Sequence, residues 1–126
     1  MSGALTVDVE GSPDDFSNAA LARFDGAMTN ASNVVGQNAN GDTLIVRFPG
    51  AIPGPAACDN GASVNLIRNG GGAFVADNIL GSCTIDVGAF GDVGQPVQGT
   101  FSGTVEAASG AQLVLTNGQF DLVRSQ

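Results

Sequence analysis

The sequence predicts an all-β fold, an antiparallel β-sandwich of about nine or ten short strands, with a small closed β-barrel as the alternative. Three observations carry that expectation. Apolar and polar residues alternate with period two along much of the chain. Asn-Gly or Asp-Gly pairs punctuate the runs at Asp25, Asn40, Asn60, Asn69 and Asn117. The 19 glycines fall in short clusters rather than at a fixed period, which suits tight turns and excludes a collagen-like repeat.

From the N-terminus, Leu5, Val7 and Val9 alternate with Thr6, Asp8 and Glu10, as a strand with one buried face requires. Residues 11–20 predict a single helical turn, with Ser12 as its N-cap and Pro13 at the first position. Leu44, Val46 and Phe48 form the next clear run, with Arg47 on the opposite face. The stretch from Phe48 to Pro55 carries Pro49, Pro53 and Pro55, which donate no ladder hydrogen bonds. It predicts a long surface connection crossing between sheets. Val64–Leu66 and Phe74–Ala76 flank Gly70-Gly71-Gly72. Those glycines lead into a strand and not a helix, so they read as a hairpin tip and not a phosphate cradle.

Cys83, Ile85 and Val87 alternate with Ser82, Thr84 and Asp86. The cleanest run follows: Val97, Gly99, Phe101, Gly103, Val105 and Ala107 against Gln98, Thr100, Ser102, Thr104 and Glu106. A helix there would carry two interior glycines, each costing about 1 kcal/mol. Leu113–Leu115 and Phe120–Leu122 surround Asn117-Gly118, which predicts the best-specified hairpin of the chain.

At 126 residues and 12.5 kDa the chain has room for one domain, spanning 1–126. The net charge is −8, with no lysine, no histidine and only Arg23, Arg47, Arg68 and Arg124 as cations. Nucleic acid is excluded as a partner, because phosphate binding needs cations that this chain lacks. Attraction to an anionic membrane surface fails for the same reason. No run approaches the roughly 20 apolar residues of a transmembrane helix, and no basic-then-apolar leader precedes the first strand pattern.

Cys58 and Cys83 stand 25 residues apart. Two cysteines without a histidine cannot assemble a typical zinc site, and the spacing is not Cys-x-x-Cys. The competing reading is two buried thiols in a cytosolic protein. A disulfide predicts an extracytoplasmic location: periplasm, cell surface or secreted. It would close a loop worth roughly 3 kcal/mol.

Without histidine there is no triad chemistry and no imidazole base. Carboxylate pairs remain, at Asp14-Asp15, at Asp8 with Glu10, and around Asp59. Glycoside hydrolysis would need two acids across a cleft. Such clefts usually have aromatic walls, and the chain has no Trp and no Tyr. The seven Phe mostly occupy inward positions and read as core. Asp14, Asp15, Asp59 and Asn60 are candidate calcium ligands, since hard cations take loop carboxylates and carbonyls. No Asp-x-Asp-x-Asp-Gly loop exists, and the favoured reading of the same acids is that they cap turns and keep the surface soluble. No other cofactor is expected.

Leu-Thr-Val-x-Val-x-Gly (5–11), Asn-Ala-Asn-Gly-Asp-Thr-Leu-Ile-Val (38–46) and the Pro-rich stretch come first. Gly-Ser-Cys-Thr-Ile (81–85), Val-x-Gly-Thr-Phe-Ser-Gly-Thr-Val (97–105) and Leu-Thr-Asn-Gly-Gln-Phe-Asp-Leu (115–122) follow. This order resembles a group of small bacterial secreted or lipid-anchored β domains of unknown function. The resemblance implies an envelope location and a lipoprotein-style N-terminus, and it brings no catalytic residues.

The expectation is therefore a non-enzymatic exported β domain acting as an interaction or structural module, with a protein or envelope partner. The alternatives are a barrel carrying a small apolar ligand against its Phe residues, and a carboxylate-dependent glycoside hydrolase. Lacking lysine to block its edge strands, the chain is also expected to pair with a second copy through an edge.

Overall fold

The computed structural model describes residues 3–27 and 30–126. Eleven strands follow in chain order: β1 (Ala4–Val9), β2 (Ser12–Asp15), β3 (Asn18–Asp25), β4 (Ala31–Gln37), β5 (Thr43–Pro49) and β6 (Gly54–Ala57). A 3₁₀ turn at Cys58–Asn60 precedes β7 (Ser63–Arg68), β8 (Gly72–Ala76), β9 (Ser82–Phe90), β10 (Pro96–Glu106) and β11 (Gln112–Val123).

All ladder pairings between strands are antiparallel. One layer has the order β6-β9-β10-β11-β1-β2, and the other β8-β7-β5-β4-β3. Two seams join them. β10 outruns β9, and its last residue, Glu106, pairs with Val75 of β8. At the opposite side the tail after β11 runs parallel to β3: Phe24 N donates to Gln126 O (2.8 Å), and Ser125 N to Ala22 O (2.7 Å). The two predicted architectures thus meet in one nearly barrel-shaped antiparallel sheet.

One core fills the space between the layers. The alternating residues read from the sequence supply it: Leu5 and Val7, Leu44, Val46 and Phe48, Val64 and Leu66, Ile85 and Val87, Val97, Phe101 and Val105, with Leu115, Phe120 and Leu122. Phe48 stacks on Phe120, Phe120 on Phe101, and Phe90 meets Phe48 edge-on, with centroids 6.1–6.4 Å apart. Arg124 lies 5.7 Å from the Phe24 ring and 5.2 Å from Phe90, covering the end of the core beside the C-terminal seam.

Two local expectations are corrected. Residues 11–20 form no helical turn. Glu10 and Gly11 both take positive φ (51° and 79°), the requirement of a two-residue hairpin turn, and they fold Ser12–Asp15 back on β1 as β2. Pairing with β1 outweighs the local capping signal. Asn117-Gly118 is likewise no hairpin turn, because Gln112–Val123 is one continuous strand. Asn117 has φ 53° at a bulge that shifts register against β1 and β10 together. The residues on both sides find partners in the two flanking strands, so the chain has no reason to reverse there.

Two further Asn-Gly pairs form hairpins as expected, whereas Asn60-Gly61 makes none, because β6 and β7 on its two sides pair with other strands. Asn40-Gly41 turns β4 into β5, Asn69-Gly70 turns β7 into β8, and Gly61 ends the 3₁₀ turn with φ 96°. Asp25-Gly26 opens the β3–β4 connection, of which Met28 and Thr29 lie outside the described residues. The Pro-rich stretch crosses from β5 in one layer to β6 in the other. No helix among the described residues is long and apolar enough to cross a membrane.

Candidate functional site

A groove of about 710 Å³ lies on the outer face of the β6-β9-β10-β11 layer. Because side chains alternate between faces, ladder partners share one side of the sheet. Pro55, Asp86, Thr100, Gln119, Thr6 and Asp15 are successive partners across the whole layer. A second row joins Ala57, Thr84 and Ser102, with 3.3 Å between the hydroxyls of Thr84 and Ser102. The bulge of β11 adds Thr116 and Asn117 to the lining, and Asn117 Nδ2 donates to Asp8 Oδ2 at 2.9 Å. The result is an open surface of hydroxyls and amides beside a small apolar strip at Pro55–Ala57.

Asp86 is the one carboxylate among the described residues lining this groove. Two acids facing each other, the requirement for glycoside hydrolysis, are not assembled there. Beneath the groove Phe48, Phe90, Phe101 and Phe120 pack on one another in the core.

The predicted cysteine pair is a disulfide. Cys58 opens the 3₁₀ turn after the Pro-rich crossing and Cys83 is the second residue of β9, with 5.1 Å between their Cα atoms, and both are buried. The bond pins the 3₁₀ turn against β9, beside one end of the groove.

The four calcium candidates occupy two separate places. Asp14 and Asp15 lie on β2, and Asp59 and Asn60 in the 3₁₀ turn, at opposite edges of the layer with β1, β11, β10 and β9 between. Asp14 accepts hydrogen bonds from Asn38 Nδ2 at 3.2 and 3.3 Å. Asp15 takes the Ser17 amide at 2.9 Å, and the hydroxyl and amide of Ser17 hold its carboxyl below the usual range. Asn60 lines the groove, and Asp59 is exposed. Among the described residues no three acidic or thiol side chains group as a metal site would require.

Sequence reading passed over a buried polar knot. Asp42 accepts from Asn69 N (2.8 Å), Asn38 Nδ2 (3.0 Å) and Arg68 Nη1 (3.0 Å), while Asn38 Oδ1 accepts the amides of Asn40 and Asp42. It locks the β4–β5 hairpin to the β7–β8 hairpin and, through Asp14, to β2. The Asn69 amide, ahead of the Asn38 and Arg68 bonds, holds the Asp42 carboxyl below its ordinary range against the opposing effect of burial. Asn-x-Asn-Gly-Asp is the visible trace of this knot, since Asn and Asp bond their own turn backbone.

Comparison with protein-family models, with curated proteins and with solved structures found no match.

Proposed function

We propose that this chain is a non-enzymatic, extracytoplasmic β module that engages an envelope or extracellular partner through the groove over β6, β9, β10 and β11. The observation that carries the reading is the groove itself, where hydroxyl and amide side chains from three strands, β9, β10 and β11, stand in register on one open face. Hydroxyls and amides without opposed carboxylates suit recognition rather than acid–base chemistry. The Cys58–Cys83 disulfide supports the compartment, because such bonds persist where thiols are oxidised. Membership of the small bacterial envelope domains it resembles belongs to the same proposal.

The test is co-sedimentation of the oxidised full chain with isolated bacterial cell envelopes. The wild type is expected to pellet with them. Thr100→Lys with Gln119→Lys, which fills the groove, is expected to stay in the supernatant, and Ile67→Lys on the other layer to pellet as the wild type does. Equal behaviour of all three proteins would refute the assignment of the groove.

A further inference from the structure

The outer face of the other layer holds a separate pocket of about 440 Å³, between β5, β7, the 3₁₀ turn and the β8–β9 connection. Its polar groups are Arg47, Ser63, Asn65, Asp77 and Asn78. Arg47 is the ladder partner of Ser63, and Asn65 is the next residue of β7 on that face. Arg47 and Asn65 are therefore diagonal neighbours, about 7–8 Å apart at Cα and within reach of a long side chain.

Three features here are left unsatisfied by the fold. Asn65 Oδ1 is buried and has no hydrogen-bond partner. A buried acceptor in that state carries a desolvation cost that a donor from another molecule removes. Arg47 is half-buried and lacks an ion pair, since the salt bridge among the described residues is Arg68–Asp42. A guanidinium presents a planar fork of donors matched to a carboxylate, and among the described residues no carboxylate pairs with this one. Asp77 Oδ1 accepts the amides of Ile79 and Leu80, both at 2.8 Å, and these bonds keep the carboxylate ionised while Oδ2 makes none. Positive charge, negative charge and an orphan acceptor thus share one small pocket without neutralising each other.

We propose that this pocket binds a small zwitterion of the amino-acid class, its carboxylate on the Arg47 guanidinium and its ammonium on the Asp77 carboxylate, where a turn of the Asn65 side chain brings the buried Oδ1 to the ammonium. A simple anion would satisfy Arg47 and leave Asn65 and Asp77 as they are. A simple amine would do the reverse. A molecule carrying both groups on one carbon answers all three.

Isothermal titration of the oxidised full chain with alanine, lactate and ethylamine tests this, with leucine and aspartate to probe the side chain. At least one amino acid is expected to bind, and lactate and ethylamine to bind about tenfold more weakly or worse. Asp77→Asn keeps an Oδ1 acceptor for the Ile79 and Leu80 amides and removes the charge. It is expected to lower amino-acid affinity about tenfold or more while leaving lactate binding unchanged. Arg47→Gln is expected to lower both, with an unaltered circular dichroism spectrum showing that the fold persists. Lactate binding as tightly as alanine, no binding by any amino acid, or full affinity in the folded Arg47→Gln and Asp77→Asn variants would each overturn the assignment.

Discussion

At the scale of single residues, two glycines do work that their turn propensity does not suggest. Gly99 is the ladder partner of Phe120, and Gly118 of Phe101, so each ring covers the glycine of the opposite strand. A Cβ at Gly118 would stand 2.5–2.7 Å from atoms of Phe101, and one at Gly99 would run into the Phe120 ring. Gly118→Ala is expected to cost about 1–3 kcal/mol through overpacking, read as a lower urea midpoint with an unchanged slope. Asp42 supplies the pH-sensitive residue. Its folded pKa lies below its unfolded value, so its contribution is complete above about pH 4 and is lost as pH falls through the folded pKa. Asp42→Asn is expected to cost about 1–3 kcal/mol at pH 7. The difference from wild type should shrink below pH 4 in urea titrations run at both values.

At the scale of elements, prolines and the disulfide decide which strands lie where. Pro13 and Pro55 sit in β2 and β6, the two outermost strands of their layer, where a missing N–H costs least. β6 has only four residues and pairs with β9 alone, so the covalent tie at Cys58 is a main restraint on it. Reduction is expected to remove roughly 3 kcal/mol, lowering the melting temperature. Hydrogen exchange should then quicken first in β6 and the 3₁₀ turn, which border the groove, and last in β10 and β11.

At the scale of the whole molecule, closure explains how the chain manages its edges without lysine. β8 is met by β10, and β3 by the C-terminal tail. Both remaining edges carry proline, and β2 adds Asp14 and Asp15. The sequence led us to expect pairing between copies; these features, with a net charge of −8, instead predict a monomer at neutral pH. Sedimentation velocity over a hundredfold range of concentration checks this, and a second species at low micromolar concentration would contradict it.

What was legible in the sequence is local and periodic. The inward-facing residues of β1, β5, β7, β9, β10 and β11 could be named because period-two alternation records burial directly. The polar partners on the outer face, Thr84, Asp86, Thr100, Ser102 and Gln119, were readable on the same principle as solvent-facing positions. Cys58 and Cys83 could be paired because few other chemistries suit two cysteines without histidine. β3, β4 and β6 left weaker traces, since short runs rich in Ala, Asn, Gly and Pro earn their strand structure from neighbours rather than from propensity.

Tertiary structure alone decided the rest. It turned Asn117-Gly118 from an expected reversal into a bulge, because positive φ serves either purpose and only the flanking partners choose. It set Pro55, Asp86, Thr100, Gln119, Thr6 and Asp15 in one row, and brought Arg47, Asn65 and Asp77 to one pocket. Register between strands distant in sequence is a property of closure and packing. The alternation along each strand specifies which face a residue takes, and not which residue stands beside it.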